Sequence, residues 1–250
     1  MDGLERSNSQ NPLPPKPEYE FVKRLLDVSV GLTLLVLLAI PLLCIAIAVY
    51  VSSPGGVFYR QKRVGRHNRI FELYKFRTMY AGADQNGPLC TAANDSRITP
   101  LGRFLRRTKL DELPQLINVV KGDMSLVGPR PQVPRFVEKF PPEQRDIVLA
   151  VRPGITGPTQ LMFRNEEELL VNVEEREQFY IEELLPIKCQ MDVNYVTQRS
   201  LLQDAKVLWD TAKVLISGSL IEEPLTSLAI TQQRVTPRDE TGDANLIGWK

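Results

Sequence analysis

The sequence predicts a membrane-associated α/β protein, mostly helical. It has an N-terminal apolar helix broken near Pro41, amphipathic interfacial helices, a small β element and a cytosolic domain. Three observations predict this. From Val28 to Tyr59 none of 32 residues is charged, and Val28 to Val51 is almost all Leu, Ile, Val and Ala. Arg60 to Lys109 then hold twelve Lys/Arg against three Asp/Glu. Beyond Pro100, apolar residues recur at helical spacing between rigid Pro/Gly loops.

Each element follows in order. Residues 1–20 are polar and Pro-rich and read as a flexible tail. Residues 21–56 form the membrane-embedded unit. A spanning helix needs ~20 apolar residues, and this run exceeds that. Lys23 and Arg24 mark its near edge as interfacial anchors, and Arg60, Lys62, Arg63, Arg66 and Arg69 mark its far edge. Both edges are positive, so a single crossing satisfies the positive-inside preference at only one of them. Pro41 removes a backbone donor and clashes with the preceding turn. A helix that breaks at Ile40-Pro41 and returns puts both edges on one face. A kinked spanning helix is the other reading, and the pattern alone favours neither.

Residues 57–220 form the cytosolic domain, and 221–250 a polar tail. Val57-Phe58-Tyr59 and Ile70 to Leu73 predict two short strands around a basic turn. Residues 82–97 read as a loop. Thr99 and Pro100 open a short amphipathic helix with Leu101, Phe104 and Leu105 on one stripe, suited to a membrane surface. Thr108 is a candidate cap for the next helix, though Pro114 favours a start nearer Leu113; Gly122 ends it. Residues 127–134 and 152–158 predict rigid loops, and 166–185, 187–199 and 201–217 predict helices. Glu166 to Glu183 hold eight Glu and one Arg, an acidic stretch facing cytosol.

Composition excludes several function classes. A net charge of +1 over 250 residues gives no global field for nucleic acid. One histidine, His67, disfavours His-based zinc sites. Three distant cysteines without a C-x-x-C support neither a metal knuckle nor a disulfide framework. No phosphate-binding glycine loop is present, and no D-x-D.

The chemistry-bearing candidates are cations around a carboxylate pair. Asp111 and Glu112 sit near a helix start, which favours their anionic forms and predicts depressed pKa values. Such acids suit a nucleophile or a divalent-metal ligand; structural capping is the competing reading. Arg130 lies between Pro129 and Pro131 on a stiff mount suited to phosphate, and Arg152 precedes Pro153-Gly154 in a similar setting. Lys75 and Arg77 flank Phe76 and share a strand face. Together these suggest a phosphorylated substrate that meets a lipid.

Several ordered motifs closely resemble the bacterial sugar transferase family. They are Lys23 to Asp27, Tyr74 to Met79, Leu110-Asp111-Glu112-Leu113-Pro114-Gln115-Leu116, Lys121 to Ser125, Gly128-Pro129-Arg130-Pro131 and Arg152 to Gly157. The family comprises monotopic phosphoglycosyl transferases that begin glycan assembly, here in a small form with the catalytic domain alone. The resemblance implies that the helix re-enters the membrane at Ile40-Pro41, where many relatives have Ser-Pro. It implies a bacterial inner-membrane enzyme with its catalytic domain on the cytoplasmic face. Asp111 would attack the phosphate bearing the sugar of a UDP-sugar and release UMP. Polyprenyl phosphate, as undecaprenyl phosphate, would then take the sugar-phosphate. Magnesium offsets diphosphate charge at Asp111 and Glu112, with Glu112 positioning metal or handling a proton. Arg130, Lys75 and Arg152 would hold phosphates. Membrane lipid is a further partner, nucleic acid is not, and a homodimer is admitted. Competing classes are a membrane-anchored basic scaffold and a direct glycosyltransferase that releases UDP. Residues 158–165 depart from the family pattern in a region expected near the sugar.

Overall fold

The structure is a computed structural model that describes residues 16–83, 89–171 and 173–217. Residues 1–15 of the expected first tail, and all of the tail at 221–250, lie outside the described residues. So does part of the loop at 82–97.

The chain begins with α1 (Pro17–Leu37) and α2 (Ala39–Ser52). Pro17 stands at the helix start, where its fixed φ is already helical. Residues 17–20 are therefore helix rather than tail, held by Tyr19 and Lys23 on Asp204. Among the described residues no single helix is long and apolar enough to cross a membrane. The α1–α2 pair, bent by 64°, meets that test together. The bend falls at Leu38 (φ −94°, ψ 5°), one turn before the expected Ile40-Pro41. The reason is steric: a proline ring disturbs the carbonyl four residues earlier, here Leu37. Pro41 itself sits in the first turn of α2, where a missing N–H is tolerated. The Leu38 N–H donates to Leu34 O at 2.9 Å, and Leu38 O accepts from Leu42 N–H at 2.8 Å.

An antiparallel hairpin follows, β1 (Phe58–Val64) and β2 (Ile70–Phe76). Next come α3 (Pro100–Thr108) and α4 (Gln115–Lys121), joined by a single 3-10 turn, Leu110–Glu112. The Thr99 side chain accepts from Gly102 N–H at 2.9 Å, as its position predicts. Thr108 does not cap α4; its hydroxyl bonds back to Phe104 O and Leu105 O within α3. The α3 stripe divides. Leu105 and Leu101 pack with Leu42, Ile45 and Val49 of α2 and with Phe76, while Phe104 faces outward.

A strand, β3 (Ser125–Val127), runs into the first expected rigid loop, and a second, β4 (Gly154–Thr156), lies inside the other; the two pair in parallel. Three residues carry too little periodicity to be read as a strand. Their pairing is fixed by distant backbone, with Ser125 N–H donating to Pro153 O and Gly154 N–H to Pro129 O, both at 2.8 Å. Short helices α5 (Pro134–Val137), α6 (Pro142–Val148), α7 (Pro158–Met162), α8 (Glu166–Leu169) and α9 (Arg176–Phe179) follow around them. A π turn, Tyr180–Leu184, leads into α10 (Leu185–Gln198), and α11 (Leu201–Ser217) ends the described chain. The helix expected over 166–185 is thus broken. Its glutamates give no continuous apolar stripe, and Leu170 O accepts from Arg176 at 3.0 Å inside the interruption.

The main core joins β2, α4, β3, α10 and α11 through Leu73, Val119, Val127, Val196 and Val207, with Met124 among them. Asn118, fully buried on α4, accepts from Tyr74 N–H and donates to Glu72 O. It locks α4 to the β2 edge. The first half of α1 lies against the same core. Gly31 meets the Val119 and Val120 side chains, and a Cβ there would already be close to them. Asp27 accepts from Ser125 Oγ and Leu126 N–H. The expected interfacial anchors are engaged within the protein: Lys23 pairs with Asp204 at 2.7 Å, and Arg24 donates to Val119 O and Val120 O. Those last carbonyls of α4 attract a cation. Around the bend and along the face of α2 turned away from α3 the pair is uncovered, with Val36, Ile40 and Val51 each about three-quarters exposed.

Candidate active site

Lys109 closes α3 in the left-handed region (φ 58°), and the chain then folds into its 3-10 turn. That reversal turns Asp111 inward, where it is 6% exposed. β2 runs beside the turn and presents Lys75, whose Nζ donates to Glu112 Oε1 at 2.7 Å. Arg130, mounted between two prolines, donates to the same oxygen at 3.0 Å. Sequence spacing of 37 and 18 residues is thereby reduced to direct contact.

The two adjacent acids meet opposite fates. Burial alone would raise the Glu112 carboxyl, but Arg130 and Lys75 outweigh it and hold it well below the usual carboxylate range. Asp111 has no hydrogen-bond partner on its buried Oδ1. Burial pushes its pKa up to about 6, with Lys75 opposing and Glu112 adding to the rise. This corrects the expected depressed value. Asp111 precedes the α4 helix rather than sitting in its first turn, so burial prevails over the helix dipole. Glu112 in turn raises Arg130, while burial lowers Lys75.

Sequence reasoning passed over Arg63 as a site residue. It lies on β1, paired with Phe71, on the face that also carries Gln61. Its guanidinium donates to Pro131 O at 2.8 Å and to Gln61 Oε1 at 2.6 Å, leaving Nε unpartnered. Burial, with Arg130 nearby, pushes its pKa down to about 10. The signal was available in the alternation of Gln61 and Arg63, but not the contact with the distant Pro131.

These groups open into a cavity of about 800 Å³. It extends from Leu34 and Leu38 at the helix bend, past Asp111 and Arg130, to Leu208 and Leu215 on α11. Arg77 also lines it, although its guanidinium is tied to Ser53 O and Oγ at 2.7 and 3.0 Å. Arg152 does not reach it. Its Nε donates to Gly122 O at 3.1 Å, beside Arg24 at the C-terminal end of α4. A stiff Arg-Pro-Gly setting identified a fixed arginine but not its direction.

Among the described residues no group of three or more His, Cys, Asp or Glu side chains could hold a metal ion. Asp111 and Glu112 remain as a pair, and Glu112 Oε1 already meets two cations. Magnesium takes one or two carboxylates and completes its shell with water and phosphate oxygens. The unpartnered Asp111 Oδ1 fits that demand.

Residues 18–218 match the family described as bacterial sugar transferase. A UDP-N-acetylgalactosamine-undecaprenyl-phosphate N-acetylgalactosaminephosphotransferase of Aeromonas hydrophila is 34% identical over 216 residues, covering 84% of this chain and 47% of that protein. A UDP-glucose:undecaprenyl-phosphate glucose-1-phosphate transferase of Escherichia coli is 36% identical, covering 82% and 44%. An undecaprenyl-phosphate galactose phosphotransferase of Salmonella typhimurium is 37% identical, covering 80% and 42%. The chain therefore spans about half the length of these curated relatives.

Proposed function

The chain belongs to the bacterial sugar transferase family, and on that premise we propose that it moves a sugar-1-phosphate from a UDP-sugar to polyprenyl phosphate. An Asp111 carboxylate oxygen attacks the phosphorus that bears the sugar. The bond from that phosphorus to the bridging oxygen breaks, and UMP leaves with the electron pair. A sugar-phosphoryl aspartate remains. A phosphate oxygen of the polyprenyl acceptor then attacks the same phosphorus, the aspartyl O–P bond breaks and the carboxylate is restored. Two substrates of opposite solubility thus use one site in sequence.

One observation carries this reading. Asp111 is a buried carboxylate with an unpartnered oxygen, next to Glu112, whose Oε1 is held by Lys75 and Arg130, in a cavity that reaches the helix bend. Lys75 and Arg130 neutralise Glu112 in the free protein and are placed to meet diphosphate oxygens. Arg63 adds a third cation. Magnesium bound by Asp111 and Glu112 would supply further neutralisation of the diphosphate.

The exposed α1–α2 apolar surface supports a monotopic seat on the cytoplasmic face of the bacterial inner membrane. Burying one Leu or Ile side chain contributes ~1.5–3 kcal/mol. Ile40, Leu43, Ile47 and Val51 together exceed the cost of a proline break, about 3 kcal/mol. Lipid acceptor would enter near Leu34 and Leu38, and soluble donor from the cytosol.

The test is UMP release by the full chain in membranes, with polyprenyl phosphate and a panel of UDP-sugars. The covalent route requires a sugar-phosphate adduct on Asp111, and Asp111→Asn must abolish both adduct and UMP. Release of UDP would indicate direct glycosyl transfer. Membrane binding without any turnover would leave the scaffold reading. Cysteine labelling near positions 10 and 240 must find both on the cytoplasmic face; labelling on opposite faces would exclude re-entry.

A further inference from the structure

The cavity holds a second charged cluster that the steps above do not use. Glu166, Tyr180 and Lys188 all stand in its wall. Lys188, on the buried side of α10, donates to the Glu166 carboxylate and lies 3.4 Å from the Tyr180 hydroxyl. Its ammonium is 5.1 Å from the Phe163 ring centroid and 4.7 Å from that of Tyr180. The Lys188 side chain is 3% exposed and that of Glu166 22%, so the carboxylate keeps access to the cavity. Taking an ion pair out of water is expensive, and an apolar side chain would fill the same space more cheaply.

One loop joins the two clusters. Arg130 donates to Glu112, and Gln132, two residues on, accepts from the Tyr180 hydroxyl at 3.2 Å. Two residues of chain reach at most about 7 Å, so the clusters are neighbours along one wall. Their charges differ. Around Asp111 and Glu112, the cations Lys75, Arg130 and Arg63 are in excess, which suits phosphates. Around Lys188 one cation meets one anion between two aromatic rings. That arrangement suits a neutral polyol: the accessible Glu166 carboxylate accepts from hydroxyls, while Lys188, Tyr180 and Phe163, buried behind it, fix its position and offset its charge. In the donor, the sugar is bonded to the phosphorus that Asp111 attacks, whereas the nucleoside lies one phosphate further away.

We infer that Glu166, Lys188 and Tyr180 form the sugar subsite of the donor and determine which UDP-sugar is accepted. The inference rests on the phosphoglycosyl transferase reading. The three relatives named above carry three different sugars in their names at 34–37% identity, so overall similarity does not specify the sugar.

The experiment compares UDP-glucose with UDP-galactose, and UDP-N-acetylglucosamine with UDP-N-acetylgalactosamine, using the full chain in membranes. Glu166→Gln and Lys188→Met are each expected to lower kcat/KM for the preferred donor by about tenfold or more. They should also shrink its ratio to the C4 epimer. Inhibition by UMP, which lacks the sugar, should move less than about twofold. Tyr180→Phe keeps the ring and should shift the ratio in the same direction by less. If a variant loses all turnover, UMP protection against thermal unfolding decides: retained protection supports the subsite, and lost protection overturns it. An unchanged epimer ratio, or UMP inhibition weakened as much as turnover, also overturns it. A wild type that releases no UMP from any donor would overturn the transferase reading and the subsite with it. An active wild type with unaffected variants overturns the subsite alone.

Discussion

Asp27, at the joint of α1 and β3, and Asp111, in the turn between α3 and α4, are both buried carboxylates. Asp27 Oδ1 accepts from the Ser125 hydroxyl at 3.0 Å and from Leu126 N–H at 2.9 Å. Among the described residues Asp111 accepts no hydrogen bond, and its nearest favourable charge, on Lys75, is spent on Glu112. Asp27 Oδ2 is, like Asp111 Oδ1, buried without a partner, so Asp27 clamps α1 to β3 through one oxygen only. A carboxylate with no donor on either oxygen is held ready to form a new bond. Neither burial nor one orphaned oxygen therefore marks a reactive acid; the absence of any donor, at the wall of a cation-lined cavity, does.

The sharpest way to break the comparison is to remove each carboxylate. Asp111→Asn should lower UMP release by at least about 10³-fold. It should also raise thermal stability near neutral pH, by on the order of 1–3 kcal/mol, because an uncharged amide avoids the burial cost. The sign follows from the raised pKa. A carboxyl titrating at about 6 in the fold and near 3.8 unfolded contributes stability at low pH that is lost as pH rises through about 6. The gain of Asp111→Asn should thus shrink below about pH 4, where the wild-type acid is protonated in both states. Thermal melts of both proteins across pH 4–8 check this. If Asp111→Asn melts lower at pH 7, the burial argument fails.

Asp27→Ala should do the reverse. Leaving a buried hydroxyl and a backbone N–H without an acceptor should cost about 2–4 kcal/mol. Chemistry per folded molecule should be retained, read as UMP released per correctly folded protein. The pH dependence of kcat/KM comes next: an acid limb near 6 is expected, and it should persist in Asp27→Ala, which keeps Asp111. Arg130→Lys keeps the charge but loses the planar fork, and roughly a tenfold loss in kcat/KM is expected. Arg152→Lys should change kcat/KM by less than about twofold, because Arg152 serves the α4 terminus and not the cavity. A large catalytic effect there would contradict the placement.

Legibility varied with the range of the interaction. The hairpin, the Thr99 cap and the Gly122 stop were legible, because each depends on residues within one turn or one strand pairing. The family motifs placed Asp111, Glu112, Lys75 and Arg130 together, and the structure does bring them to one cavity. Their arrangement was less legible. Arg152 has the same kind of proline-stiffened setting as Arg130 yet turns to Gly122 O. The position of Lys23 and Arg24 at the edge of the apolar run suggests anchors at a bilayer edge, but not that they tie α1 to α11 and α4 within the fold. Charge and spacing state what a side chain can do; they do not state which partner is nearest.

The order of residues by itself determined that this chain carries an apolar run with a proline in it, a basic block after it and an Asp-Glu pair ahead of a short helix. It also determined the family. Only the tertiary structure decided that the bend falls at Leu38, that Lys75 and Arg130 both satisfy Glu112, and that Asp111 is left unpartnered. The physical reason is that local conformation follows from neighbours in sequence, whereas the protonation and pairing of a buried acid depend on distant groups brought into the same desolvated space.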